Sequence, residues 1–95
     1  MRTLREFWEA GHGDAEKVLR EWFKLCEAAE WRNFADVRAT FRTADQVGDK
    51  IIVNILRNEY RLIFKSQFEK GRVFIKWVGT HAEYDRLTKR DIESL

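Results

Sequence analysis

Three stretches decide the fold of this chain: KIIVNIL (Lys50–Leu56), EYRLIFKS (Glu59–Ser66) and RVFIKWVGT (Arg72–Thr80). The first is a β-branched run, and the other two alternate between apolar and polar side chains. Both patterns belong to β-strands. Arg57-Asn58 supplies a tight hairpin turn between the first two, because Asn tolerates positive φ. Gln67–Gly71 supplies a looser turn before the third. Strands joined in sequence by hairpins form an antiparallel meander.

Upstream of these strands the period is helical. Leu4, Phe7 and Trp8 share one face of a short helix over Thr3–Ala10, with Thr3 as N-cap and Glu6 at capping-box spacing. Gly11-His12-Gly13 breaks it. Asp14 is the expected cap of a second helix running to about Ala29, with Val18, Leu19, Trp22, Phe23, Leu25 and Cys26 as its apolar stripe. The short Gly-rich connection predicts an antiparallel helical pair. Phe34, Val37 and Phe41 have helical spacing and predict a short third helix. Thr43–Asp49 reads as loop, and His81 to about Arg86 as a short terminal helix. Helices followed by strands predict an α+β fold, with the helical pair packed on a twisted antiparallel sheet of at least three strands.

The chain has 95 residues, which predicts one domain, 1–95, with no room for a separate cofactor domain. Hydrophobic residues at 44% and aromatics at 14% exclude a disordered chain. A single cysteine, Cys26, excludes an internal disulfide and a cysteine zinc site. No apolar run approaches the roughly 20 residues of a membrane span, and no secretory signal is visible. The expected compartment is the cytoplasm.

The formal net charge is only +2, but it is unevenly spread. Residues 1–49 hold 8 Lys/Arg and 10 Asp/Glu, whereas residues 50–90 hold 10 basic side chains and 4 acidic ones. The strand half is therefore a basic block, and a polyanion partner or a solvated face both account for it. Alternation sharpens this. Tyr60, Leu62 and Phe64 share one face of their strand, and Arg61, Ile63 and Lys65 the other. On the next strand Val73, Ile75 and Trp77 share a face, opposite Arg72, Phe74, Lys76, Val78 and Thr80. The helices must cover the apolar face. The opposite face then carries Arg61, Lys65 and Lys76 with Phe74 among them, and Asn54 near these cations. Such a face binds phosphates and stacks bases, or is simply the solvated side of an antiparallel sheet.

The segment GTHAEYD (Gly79–Asp85) follows directly. His81 is suited to proton exchange near neutral pH, or to capping the helix. On a helix His81 and Tyr84 stand at i and i+3 and can face one site. Beside clustered cations, such a pair suits phosphodiester cleavage.

These motifs occur in a recognisable order: LREFWE (Leu4–Glu9), DAE (Asp14–Glu16), EWRNFADVRATF (Glu30–Phe41), ADQVG (Ala44–Gly48), IVN (Ile52–Asn54), NEYRLI (Asn58–Ile63) and VGTHAEYD (Val78–Asp85). The last is the most specific. Together they span nearly the whole chain, which resembles the HigB family of bacterial toxin–antitoxin toxins, within the RelE-like superfamily of ribosome-dependent mRNA endonucleases. The resemblance implies a RelE-like fold and metal-independent cleavage of mRNA in the ribosomal A site, with no cofactor. In that reaction the RNA 2′-hydroxyl attacks the adjacent phosphate and a 5′-hydroxyl leaves. It assigns Arg61 to the pentacoordinate phosphate, His81 to acid or base catalysis and Tyr84 to the 2′-hydroxyl or proton transfer. Lys65 and Lys76 would hold flanking phosphates, and Asn54 would contact RNA. The implied partners are the ribosome and a HigA-like helix-turn-helix antitoxin, through which alone the toxin would meet operator DNA.

The chain departs from the family pattern in three places. A short extended segment usually precedes the first helix, whereas Met1 stands almost at that helix here. Gly11-His12-Gly13 replaces a connection that often contains proline, and Arg57 occupies a turn where Gly is more common. A catalytically inactive RNA- or ribosome-binding module on the same scaffold is the alternative that these departures leave open. His12 reads as a solvated turn residue and Cys26 as a small core residue. Trp8, Trp22 and Trp77 read as core, and Trp31 as core or partner surface.

Overall fold

The computed structural model describes residues 2–95; the expectation that falls on Met1 lies outside the described residues. Three helices come first: α1 (Arg2–Glu9), α2 (Glu16–Ala28) and α3 (Phe34–Thr40). A meander follows: β1 (Asp45–Val47), β2 (Lys50–Ile55), β3 (Tyr60–Gln67) and β4 (Arg72–Thr80), paired antiparallel in the order β1-β2-β3-β4. Two short helices close the chain, α4 (His81–Asp85) and α5 (Lys89–Glu93). The fold is the expected α+β arrangement.

One face of the sheet meets the three N-terminal helices. Leu4 and Trp8 of α1, Leu19 and Trp22 of α2, Trp31, and Val37 of α3 pack with Ile51, Val53, Ile55, Tyr60, Leu62 and Phe64. Leu4, Leu19, Val37, Leu62 and Phe64 are fully buried, each side chain contributing roughly 1.5–3 kcal/mol of transfer free energy. Trp31 belongs to this core and donates its Nε1–H to Thr40 Oγ1 at 3.0 Å. Arg20 of α2 lies 4.9 Å from the Trp8 ring centroid and ties α2 to α1.

Several local expectations are corrected. Thr3 lies inside α1 rather than capping it. Asp14 caps nothing: α2 begins at Glu16 with Ala15 at its N-cap, and Asp14 instead accepts a 2.6 Å hydrogen bond from the Tyr60 hydroxyl. That long-range bond pins the helix entry to the sheet, and the carboxylate beside it pushes the Tyr60 phenol up to about 12. His12 is not merely solvated. Its ring stacks on Phe7 at 4.2 Å and meets Tyr60 edge-on at 5.4 Å. Cys26 is half-buried, and burial pushes its thiol up to about 12. Leu25, counted in the apolar stripe, is 50% exposed.

Residues 43–49 are not all loop. Asp45–Val47 pairs with β2, with Val47 opposite Lys50. Gly48 takes φ 61° at the first central position of this two-residue turn, where a type II′ hairpin calls for glycine. The β2–β3 turn is costlier than its Asn predicts. Leu56, Arg57 and Asn58 all have positive φ, at 51°, 57° and 100°. Three successive non-glycine residues in that region store strain.

The correction with the largest consequence lies in β4. Ile63 pairs with Trp77 but Phe64 pairs with Ile75, so Lys76 is an extra, bulged residue. A bulge reverses the alternation beyond it. Trp77 therefore lies on the face away from the helices, and Val78 returns to the helical core. That second face has an apolar centre as well as cations. Ile52, Ile63 and Ile92 are buried there, with Val47, Trp77, Tyr84, Leu87 and Leu95 around them. Ile92 belongs to α5, an element that the sequence reading left unassigned.

Candidate active site

The second face of the sheet has two polar ends separated by this apolar centre. At one end the β2–β3 and β4–α4 connections meet. Asn54 pairs with Arg61, and Arg61 with Gly79. The β4–α4 junction is anchored there, because the His81 backbone N–H donates to the Glu59 carbonyl at 3.0 Å. Thr80 caps α4 in a capping box: its Oγ1 accepts from the Glu83 N–H at 3.2 Å, and Glu83 Oε1 accepts from the Thr80 N–H at 2.9 Å. The bond from the Thr80 backbone N–H, and after it hydrogen bonding by the Thr80 side chain, hold the Glu83 carboxyl below its usual range.

Fixing α4 fixes its functional side chains. The Arg61 guanidinium carbon stands 5.7 Å from the Tyr84 ring centroid, a cation–π arrangement. Arg61 Nη1 also donates to the carbonyls of Asn58 at 3.2 Å and Tyr60 at 3.4 Å. The strained turn thus aims the guanidinium. Tyr84 is half-buried beside Trp77, with ring centroids 6.3 Å apart. Burial raises the Tyr84 phenol above the ordinary tyrosine value; Asp45 and Asp85 push the same way, and Arg61 opposes them. The phenol therefore keeps its proton at neutral pH and can donate it in a hydrogen bond.

His81 Nδ1 lies 2.9 Å from Asp85 Oδ2, one helical turn on. With the carboxylate beside Nδ1, Nε2 lies on the other side of a ring whose side chain is 45% exposed. The structure thus brings Arg61 and Tyr84 into contact, with Asn54 next to Arg61 on the ladder. It places His81 at the same sheet end, with Asp85 as its partner.

Lys65 and Lys76 belong to the other end. Lys65 and Arg61 are four residues apart on β3, about 13 Å at a strand's rise. Lys65 Nζ is 3.1 Å from Asp49 Oδ2. Asp49 also accepts from Lys50 Nζ at 2.8 Å, and the two lysines hold its carboxyl down to about 2. Lys65 is thus half neutralised before any ligand arrives. Lys76 is exposed, with Nζ 6.0 Å from the centroid of Phe74. Phe74 is itself 40% exposed, so an aromatic surface and a cation sit together at this end.

Three residues of this face had no role in the sequence reading. Asp85 was legible, because an acid four residues after His81 on a helix lies beside it. Asp49 and Trp77 were not: one depends on the β1–β2 turn, the other on the bulge. Among the described residues no cluster of three or more His, Cys, Asp or Glu side chains is placed to hold a metal ion. Among them, too, no helix is long and apolar enough to cross a membrane.

Comparison with protein families gives a match. The family model HigB_toxin, described as the RelE-like toxic component of a toxin-antitoxin system, matches residues 15–87. The match runs from the start of α2 to just beyond α4 and includes both ends of the second face. No match was found among curated proteins.

Proposed function

The chain belongs to the HigB toxin family, the RelE-like toxic components of toxin–antitoxin systems, and on that basis we propose that it is a ribosome-dependent mRNA endonuclease. The observation that carries the proposal is the contact of Arg61 with a protonated Tyr84 at the sheet end that also holds the His81–Asp85 pair. A fixed cation, a phenol donor and an imidazole oriented by a carboxylate are what phosphodiester transfer to a neighbouring hydroxyl needs.

In this reading mRNA enters with its ribose 2′-hydroxyl and scissile phosphate over Arg61. The 2′-oxygen attacks phosphorus, the bond from phosphorus to O5′ breaks, and a 2′,3′-cyclic phosphate and a 5′-hydroxyl result. The proton lost by the 2′-hydroxyl and the proton gained by O5′ both pass through this site. Nε2 of His81 exchanges one of them, while Asp85 holds the ring's tautomer. Tyr84 orients the 2′-hydroxyl or shares the transfer. Arg61 stabilises charge growing on the phosphate, since its guanidinium stays charged and offers a planar fork of donors. Asn54, Lys65 and Lys76 hold flanking RNA. None of these roles calls for a cofactor or a metal.

Membership in the family implies an antitoxin partner. We take it to be a HigA-like helix-turn-helix protein that carries the complex to operator DNA. The toxin itself would work in the cytoplasm as a single domain, 1–95, on mRNA in the ribosomal A site. A non-catalytic RNA- or ribosome-binding module is the second reading. The Phe74–Lys76 pair favours it, because stacking and phosphate contacts serve binding without any cleavage.

The test uses ribosomes programmed with a defined mRNA. The wild-type protein should release fragments whose 5′ ends are captured only after enzymatic phosphorylation, as 5′-hydroxyl ends require. Arg61→Ala should slow release by about 10²-fold or more while still co-sedimenting with ribosomes. Fragments bearing 5′-phosphates would exclude the 2′-hydroxyl mechanism. Ribosome binding without fragments would favour the module.

A further inference from the structure

Strand alternation puts Trp77 on the helix-covered face of the sheet, and three features put it on the other. The bulge at Lys76 turns it onto the second face, in register with Ile63. Gly79 then makes room for it: a Cβ on Gly79 would lie 2.5 Å from Trp77 Cη2 and 2.6 Å from Cζ2. The six-membered ring of the indole therefore rests directly on the glycine. Gly79 is also the ladder partner of Arg61. Finally, the indole stands against Tyr84, with ring centroids 6.3 Å apart and planes inclined at 50°. Guanidinium and indole thus both flank the Tyr84 ring, and the indole rests on the glycine that pairs with Arg61.

Building on the proposed roles of Arg61 and Tyr84, we infer that Trp77 is a positioning residue of the site and Gly79 the gap that admits it. The indole walls one side of Tyr84 and fixes the direction of its hydroxyl relative to the Arg61 guanidinium. Tyr84 sits on a helix of five residues, and its ring would otherwise be free to change rotamer. Displacing a catalytic group by about 1 Å can cost about 10²-fold in rate. Trp77 acts through Tyr84 and touches no reacting atom.

A purely space-filling Trp77 is the competing account. Its neighbours Ile52, Ile63 and Ile92 would accept any apolar group of similar size. The two accounts differ in what happens at Tyr84. Burial is the largest cause of that phenol's raised pKa, with Asp45 and Asp85 adding to it and Arg61 opposing. Removing the indole should let water reach the ring while leaving those three charges in place.

The experiment has a spectroscopic arm and a cleavage arm. The chain has two tyrosines, Tyr60 and Tyr84, so carbon-13 labelling at tyrosine Cζ gives two signals that titrate separately. Trp77→Ala should move the Tyr84 titration to lower pH and leave Tyr60 unmoved; Trp77→Leu, which likewise removes the aromatic wall, serves the same arm if the alanine variant does not fold. In the cleavage arm, Gly79→Ala should lose about 10²-fold. The double variant W77F/G79A should recover most of that loss, because phenylalanine lacks the ring atoms that the added methyl would meet. An unmoved Tyr84 titration on loss of the indole would overturn the inference, as would G79A cleaving like the wild type. If the wild-type protein cleaves nothing, the nuclease reading fails, and the Tyr84 titration still decides whether Trp77 positions it.

Discussion

Asp49 shows how one carboxylate can set the character of a basic face. It pairs with Lys50, whose ammonium is 3% exposed and also donates to the Glu93 carbonyl at 3.0 Å, and with Lys65 across the ladder. A buried ammonium needs such partners. With two lysines beside it, the Asp49 carboxyl is held at about 2, against an ordinary 3.8. Its folded-state value is depressed, so its stabilisation is present above pH about 4 and is lost as pH falls towards about 2. Acid unfolding followed by circular dichroism should therefore be shallower between those pH values in Asp49→Asn than in the wild type. Equal slopes would show that the pair contributes nothing to acid stability. The same residue separates two cations that looked equivalent in sequence. Lys65 shares its charge with Asp49, whereas Lys76 has no carboxylate partner among the described residues. Lys76 is thus the more available cation of the two.

At the level of elements, the strained β2–β3 turn offers a direct test. Arg57 sits at φ 57° and ψ 24°, a conformation that costs an ordinary L-residue roughly 1–2 kcal/mol and glycine almost nothing. Arg57→Gly should therefore stabilise the protein by about 1 kcal/mol in urea unfolding; a destabilised variant would show that the arginine side chain compensates for the strain. How legible the elements were depended on length and context. β2, β3, β4 and all three N-terminal helices could be read from periodicity, β4 with its bounds unchanged and the others with small shifts at the ends. β1 could not, because three residues are too few for alternation to register, although Gly48-Asp49 between Val47 and Lys50 is itself a hairpin signal. α5 has only five residues, and its burial rests on the single residue Ile92. The bulge at Lys76 leaves no mark in the sequence: RVFIKWVGT alternates smoothly through it. Arg61, His81 and Tyr84 were legible as a set because strand and helix spacing placed them. Trp77 was not, since its face is decided by pairing rather than by period.

At the scale of the molecule, a nearly neutral charge conceals a division of labour. The helical half covers one face of the sheet and encloses the main core. The other face carries the cations, divided by an apolar centre over which α5 packs. Arg61, Tyr84 and His81 gather where two chain connections meet, and Phe74, Lys76 and the Asp49-linked lysines lie at the opposite end. In the proposed reading, a single-stranded polyanion crossing from one end to the other would meet the exposed Phe74 and then the Arg61–Tyr84 contact. The family shown by residues 15–87 is one of toxins. The most direct measurement is induced expression in a bacterial host, with transcriptome-wide mapping of new 5′ ends in wild-type and His81→Ala cultures. Wild-type cultures should arrest with cuts in phase with codons, and His81→Ala cultures should lose both. Arrest without new ends, or the same cuts in His81→Ala, would contradict the nuclease reading.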